Sequence, residues 1–162
     1  MPSFDLVSKL EMGELKNAMD QANREISGRY DFKGSSITLE LKGEVIELIA
    51  EDDYKMRAAL DILRSKMGKR NIGMKSVEPG DIVPTGNQML KQVMNLRNGI
   101  DKEQAKVINK LVKASDRKVT SAYLDEKVRI TGKKIDDLQG IYHDLRNHDD
   151  VKVDLQMENM KK

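Results

Sequence analysis

The sequence predicts an α+β protein that consists of two copies of one small module. Residues 45–67 return as residues 127–149 with the same spacing of apolar positions, at a shift of roughly 80 residues. In both segments a stretch of alternating apolar residues, typical of a strand, precedes a stretch with helical spacing. A repeat of this length exceeds a solenoid unit, and it therefore indicates a duplicated domain.

The apolar spacing predicts five elements in the first half of the chain. They are a strand at 3–8, a helix at 11–27, strands at 36–41 and 45–50, and a helix that follows Asp52. The two later strands flank the tripeptide Lys42-Gly43-Glu44, which predicts a hairpin turn. Asp52 and Asp53 stand where the N-cap of the following helix belongs.

The same cycle of elements restarts after a segment rich in glycine and proline. That segment, 73–88, predicts a linker, within which Ile82 and Val83 are candidates for a short strand. The second half then predicts a strand at 89–97, a helix after Asp101, a hairpin at 119–124 and 127–131, a helix at 135–145, and a strand at 151–158. The order strand–helix–strand–strand–helix–strand, found twice, predicts two tandem ferredoxin-like domains, each with a four-stranded antiparallel sheet and two helices.

The composition is that of a soluble and highly charged protein. Among 162 residues, 35% are charged and 38% hydrophobic, and the formal net charge is +2. This balance excludes a dedicated non-specific nucleic-acid binder, whose surface is strongly basic. The absence of cysteine excludes disulfides and thiolate chemistry. The sequence has no long apolar run and no signal-peptide pattern, so we expect a cytoplasmic protein that does not enter a membrane.

No pattern of catalytic residues stands out, and we expect no enzymatic activity, metal or cofactor. His143 and His148 lie five residues apart and do not share a helical face, so surface histidines are the simpler interpretation. The acidic pairs at Asp52, Asp136 and Asp149 are explained by helix starts or loop positions. Neither a P-loop nor a dinucleotide-binding glycine pattern is present. An active site assembled from distant residues stays open as a third reading.

Basic side chains on the predicted strands favour a binding function. In the second module, alternation places Lys91, Arg97, Lys127, Arg129 and Lys152 on the sheet face without helices. Such a face can hold phosphates, although a solvated sheet face is an equally good interpretation. The strands lack the aromatic residues on which RNA recognition modules stack bases, so that mode of RNA readout is not expected.

The loop 29–34 is a second candidate, because it combines two cations with two aromatic residues. Arg29, Phe32 and Lys33 are placed to cradle a nucleotide. In the alternative interpretation, which we favour, the Phe32 side chain fills the core of its own module.

Four blocks of the sequence resemble the YajQ family of bacterial proteins in order and spacing, over essentially the whole chain. They are PSFDLVS, RYDFKG, ILRSKMGKRNI and VRITGKKIDDLQ. The resemblance implies two ferredoxin-like domains that exchange their first strands. One domain would then comprise residues 10–98, with the exchanged strand at 89–97, and the other would comprise residues 1–9 together with 99–162.

This exchange would also divide the basic residues between two sheets. Lys91 and Arg97 would lie in the less basic sheet, whereas Lys127, Arg129 and Lys152 would stay together in the other one. Because we expect the Arg129 side chain to be exposed, the substitution Arg129→Glu should weaken phosphate binding with little loss of stability.

The family is described as nucleotide-binding, which implies a non-enzymatic sensor or regulatory protein for cyclic di-GMP or another purine nucleotide, or for RNA or DNA. A transcription regulator is an implied partner, and the purine is expected near a groove between the domains. The alternative is a protein-interaction adaptor without a physiological nucleotide ligand. The candidate nucleotide-binding residues are Arg29, Phe32, Lys33, Lys91, Arg97, Lys127, Arg129 and Lys152.

Overall fold

The structure, a computed structural model, describes residues 1–162, and its main elements are eight strands and four α-helices. In chain order these are β1 (Ser3–Val7), α1 (Met12–Gly28), β2 (Thr38–Lys42), β3 (Val45–Ala50), α2 (Asp53–Lys69), β4 (Val77–Thr85), β5 (Met89–Leu96), α3 (Lys102–Ala114), β6 (Val119–Leu124), β7 (Lys127–Gly132), α4 (Ile135–Arg146) and β8 (Gln156–Lys161). The α+β class predicted from the sequence is confirmed.

The strands form two four-stranded antiparallel sheets, as the tandem ferredoxin-like prediction requires. One sheet has the order β2-β3-β5-β4 and the other the order β6-β7-β1-β8. The first strand of the chain, β1, therefore lies between β7 and β8, while β5 lies between β3 and β4. By contacts the chain divides into two compact units, Leu10–Arg97 and Met1–Lys9 with Asn98–Lys162, called the first and second unit below.

In the first unit, α1 and α2 cover one face of the sheet. Their inward side chains and those of β2, β3 and β5 form one apolar cluster, which includes Leu15, Ala22, Ile46, Leu48, Met56, Leu63 and Met94. The helix α2 begins as predicted, because the Asp52 side chain accepts a 2.8 Å hydrogen bond from the Lys55 backbone N–H. Along each strand, the residues that alternate with these inward ones point to the face of the sheet opposite the helices.

In the second unit, α3 and α4 cover the sheet that contains β1. The Phe4 and Leu6 side chains are fully buried among the apolar residues of this cluster, and the Phe4 ring meets the Tyr142 ring edge-on at 6.0 Å. Asp101 caps α3 through a 2.8 Å hydrogen bond from the Gln104 backbone N–H. Burial of each large apolar side chain contributes about 1.5–3 kcal/mol to folding, so β1 is a main source of this unit's stability.

Asp5 is also buried although it is charged, and it lies on the face of β1 opposite the helices. Its Oδ1 accepts a 3.0 Å hydrogen bond from Arg129 Nε on β7, and its Oδ2 accepts a 3.3 Å hydrogen bond from Asn159 Nδ2 on β8. The side chain of Asp5 is 8% exposed, whereas that of Arg129 is 56% exposed. The hydrogen bond from Arg129 is the largest cause that lowers the pKa of Asp5 below its usual value.

The segment 73–88 is not a linker, contrary to the prediction. Most of it forms β4, which pairs with β5 at the edge of the first sheet, with a shift of register between Pro79 and Ile82. An edge strand accepts proline because one side of its backbone makes no ladder hydrogen bonds. A Cβ at Gly80 would lie 2.7 Å from the Val93 carbonyl oxygen, so the glycine serves close strand approach.

The last strand is shorter than the predicted strand at 151–158. The apolar residues within 151–155 are buried as the alternation indicates, yet β8 begins only at Gln156. The reason is the length of its partner, since the pairing with β1 ends where Val7 meets Gln156. The alternation of apolar residues in the sequence therefore predicted which of these side chains are buried, but not the residue at which the strand begins.

We expect the two units to differ in their ability to fold alone. A fragment of residues 10–97 contains all four strands of its sheet, and it should unfold cooperatively in urea. A fragment of residues 98–162 lacks the interior strand β1, and it should stay unfolded until a peptide of residues 1–9 is added. Circular dichroism and amide proton dispersion in NMR spectra measure both outcomes. A dispersed spectrum of 98–162 alone would contradict this expectation, and the same fragments test the domain boundaries predicted from the sequence.

The substitution Asp5→Asn should lower the free energy of unfolding at pH 7 by about 1–2 kcal/mol, because it removes a charge-assisted hydrogen bond. A carboxyl whose folded pKa is lowered stabilises the protein above its unfolded pKa, and that contribution disappears as the pH falls through the folded pKa. The difference in free energy of unfolding between the wild-type and Asp5→Asn proteins should therefore be largest at pH 7 and decrease in strong acid. Urea unfolding of both proteins between pH 7 and pH 2 measures it, and a difference that does not change with pH would contradict the assignment.

Candidate functional site

The loop predicted to cradle a nucleotide is closed by its own contacts. Phe32 is 4% exposed and belongs to the core of the first unit, as the favoured alternative predicted. The Arg29 guanidinium lies 4.6 Å from the centre of the Phe32 ring and donates two hydrogen bonds, of 2.9 and 2.6 Å, to the Asp31 carboxylate. These bonds raise the pKa of Arg29 and lower that of Asp31. Of the three candidates in this loop, Lys33 alone is an exposed cation without an ion pair.

Lys91 lies in β5 of the first sheet and Arg97 directly follows that strand, and acidic partners neutralise both. Lys91 Nζ lies 3.6 Å from Glu47 Oε2, and Arg97 Nη2 lies 2.8 Å from Glu78 Oε2. A hydrogen bond from Lys42 is the largest cause that lowers the pKa of Glu47. The face of this sheet opposite the helices is therefore a network of ion pairs, and its cations are not a basic patch.

In the second sheet, Lys127 and Arg129 lie side by side on the face opposite the helices. The β6–β7 register pairs Leu124 with Lys127 and Ala122 with Arg129. These four side chains line a concavity of about 400 Å³, together with Asp5, Asp125 and Asn159. The hairpin turn at its end consists of Asp125 and Glu126, both with positive φ, which is the geometry of a two-residue turn that tightens the hairpin.

The charges of this concavity are balanced, and its apolar surface is exposed. Two cations, Lys127 and Arg129, face the two carboxylates of Asp5 and Asp125. Arg129 is committed to Asp5, and this hydrogen bond raises the pKa of Arg129. Lys127 makes no ion pair, so its ammonium group is available to a ligand. Leu124 is 72% exposed and, with Ala122, offers an apolar surface beside the guanidinium.

Lys152 does not join this face, which corrects the sequence-based placement. It precedes β8, its backbone N–H donates to Gln104 Oε1 at 2.8 Å, and its Nζ donates to the Asp149 carbonyl at 2.8 Å. The predicted group of three cations on the second sheet is therefore a pair. The expectation that Arg129→Glu causes little loss of stability also loses its basis, because the new carboxylate would lie beside buried Asp5.

The structure also brings together three lysines that the sequence reasoning missed. Lys118, Lys133 and Lys134 line a second concavity of about 460 Å³ in the second unit. The signal was present in the predicted hairpin: extension of its register beyond the pair Val119–Gly132 sets Lys118 opposite Lys133.

No group of three or more histidine, cysteine or acidic residues is arranged to hold a metal ion. None of the four helices combines the length and apolar character needed to cross a membrane.

Comparison with known proteins gives matches along the whole chain. The family model described as nucleotide-binding protein YajQ-like matches residues 2–161. A relative from a Geobacter species, named a nucleotide-binding protein, is 44% identical over 161 residues, which is 99% of each chain. Relatives with the same name from Trichlorobacter lovleyi and Desulfitobacterium hafniense are 43% and 45% identical, over 99% and 98% of this chain and 99% and 97% of their own. Because the family match runs through both sheets and all four helices, this protein belongs to the YajQ family.

Proposed function

We propose that this protein binds a nucleotide on the β6–β7 face of its second unit and that it does so without catalysis. The observation that carries the proposal is the concavity around Lys127 and Arg129, which joins an unpaired cation to an exposed apolar surface. The names of the relatives, which are nucleotide-binding proteins, support the same class of ligand. The absence of a nucleophile–base pair among the lining residues agrees with binding rather than turnover.

The arrangement suggests a role for each side chain. Asp5, whose other carboxylate oxygen accepts a hydrogen bond from Asn159, holds the Arg129 guanidinium in one orientation. The guanidinium is therefore a fixed surface for stacking a base. Leu124 and Ala122 extend that surface with apolar contacts. Lys127 carries an unneutralised charge at the rim and is the partner for a phosphate. A purine nucleotide has both groups that this surface would recognise.

The ligand that we propose is cyclic di-GMP or another purine nucleotide, with RNA or DNA as longer forms of the same chemistry. The protein would act in the cytoplasm as a sensor whose bound state alters contact with a partner, for instance a transcription regulator. Nucleotide occupancy of an exposed sheet face changes its charge and apolar area, and these two properties decide which protein surfaces it fits.

A protein-interaction adaptor is the second candidate, and two exposed aromatic residues favour it. Tyr30 and Tyr54 of the first unit are 88% and 65% exposed, and tyrosine is enriched in protein interfaces. Recovery of a stoichiometric protein partner that survives nuclease treatment and is lost in a Tyr30→Ser, Tyr54→Ser double variant would favour the adaptor.

The substitution Lys127→Glu should weaken nucleotide binding about tenfold, because it replaces the free ammonium group with a repelling carboxylate. Calorimetric titration with cyclic di-GMP, GTP, ATP and a short RNA at two salt concentrations measures the affinity, and higher salt should reduce it. The matched control is Lys106→Glu, which makes the same charge change at an exposed position of α3 outside the concavity. Binding of none of these ligands by the wild-type protein, or an equal loss in both variants, would refute the proposed site.

The substitution Arg129→Glu should destabilise the protein more than Lys127→Glu does. Arg129 is the hydrogen-bond partner of a buried carboxylate, whereas Lys127 is exposed and makes no ion pair. Two carboxylates side by side repel each other and leave Asp5 without its cation. Thermal unfolding of the two variants at pH 7 compares them directly. Equal midpoints would mean that Asp5 does not depend on Arg129.

A further inference from the structure

We propose a second binding site in this unit, which takes a pyrophosphate group at the end of the β6–β7 hairpin away from its turn. The site is a concavity of about 460 Å³. Its lining consists of Met1, Lys118, Val119, Thr120, Thr131, Gly132, Lys133, Lys134 and Asp137. This proposal goes beyond the nucleotide site and does not depend on it.

The antiparallel pairing of two strands brings the lysines together. Lys118 immediately precedes β6, and Lys133 and Lys134 immediately follow β7. Val119 and Gly132 form the pair of the hairpin that is farthest from its turn. The residue before Val119 and the residues after Gly132 therefore lie close together. Opposed residues of an antiparallel pair lie roughly 5 Å apart, which puts these ammonium groups within reach of one small ligand.

Protein groups do not neutralise these three lysines. Each is exposed, and its ammonium group forms neither an ion pair nor a hydrogen bond with the protein. The nearby Arg117, by contrast, is held by Asp144 at 2.9 Å and lies against Gly140 of α4. Asp137 is the one carboxylate in the lining, so the concavity has an excess of positive charge.

This excess distinguishes the concavity from basic positions that nearby carboxylates neutralise. Lys42, Lys91 and Arg129 all have carboxylates within ion-pair distance. Like charges that converge on one space repel each other, and a bound anion relieves the repulsion. This repulsion favours the binding of an anion between the three lysines.

The chemistry of the lining selects the class of anion. A single carboxylate offers one charge to three ammonium groups, whereas a pyrophosphate group offers several charges within a few ångströms. The hydroxyl groups of Thr120 and Thr131 add donors that phosphate oxygens accept. Val119 adds an apolar wall, against which the body of a phosphorylated compound can pack.

This site is too far from the proposed nucleotide site to share one mononucleotide with it. Lys133 follows Lys127 by six positions along extended backbone, which corresponds to roughly 20 Å. The pyrophosphate chemistry has two sources, namely free inorganic pyrophosphate and the diphosphate of a nucleoside diphosphate. In the Lys127→Glu variant, whose nucleotide site is weakened, stronger binding of the nucleoside diphosphate than of pyrophosphate would identify the second source. Equal or weaker binding would identify the first.

The test is calorimetric titration of the full chain with inorganic pyrophosphate and with guanosine diphosphate in buffer of physiological ionic strength. The triple variant Lys118→Gln, Lys133→Gln, Lys134→Gln should lose affinity for pyrophosphate by about tenfold or more. The matched control removes three exposed lysines from α3, by Lys106→Gln, Lys110→Gln and Lys113→Gln, and it should change affinity by less than about threefold. Lys127→Glu should leave pyrophosphate affinity within that same limit, which separates this site from the nucleotide site.

Two results would overturn the proposal. One is the absence of pyrophosphate binding by the wild-type chain, and the other is an equal loss of affinity in the triple variant and its α3 control, which would indicate diffuse attraction. Circular dichroism and thermal unfolding establish that each variant is folded. If the triple variant does not fold, the single variants Lys133→Gln and Lys110→Gln provide the same comparison with a smaller expected loss.

Discussion

The second unit depends on the pairing of β1 with β7 and β8. The strand comes from the far end of the chain, yet it occupies an interior place in the sheet and hydrogen-bonds on both sides. Phe4 and Leu6 anchor one of its faces in the core, where both are fully buried. Asp5 anchors the other face through Arg129 and Asn159. One strand of five residues thus joins the apolar core to the polar surface of this unit.

The same strand sets the properties of the face that we propose for nucleotide binding. Without Asp5, the Arg129 side chain would be one more flexible surface cation, and the concavity would attract phosphate without selecting a base. Ion pairing lowers the net charge of the concavity but fixes the guanidinium plane. Because an ordered donor loses less entropy when it binds, a fixed guanidinium favours selective contact over diffuse attraction.

Local sequence signals predicted most of the fold, whereas contacts between distant residues limited the prediction of the site. The caps at Asp52 and Asp101 and both hairpins follow from residues close in the chain, and the structure has them where they were predicted. The edge strand β4 was interpreted as a linker because its prolines and glycine resemble turn signals. The partners of Arg129 and Arg97 were not visible, since a sequence does not reveal which strands of a sheet lie side by side or in which register.

The distribution of ion pairs matters more for this protein than its net charge. The chain has 29 lysine and arginine residues against 27 acidic ones, a balance that by itself argues against binding phosphates. In the first sheet, positive and negative charges lie next to each other, because Glu47 and Glu78 neutralise the neighbouring cations. Where β6 begins and β7 ends, positive charge is in excess, because Lys118, Lys133 and Lys134 share one concavity with a single carboxylate. The charge of a cation without an ion pair is not offset by a protein carboxylate, and it attracts a ligand anion in full. The affinity for phosphate should therefore concentrate in the second unit.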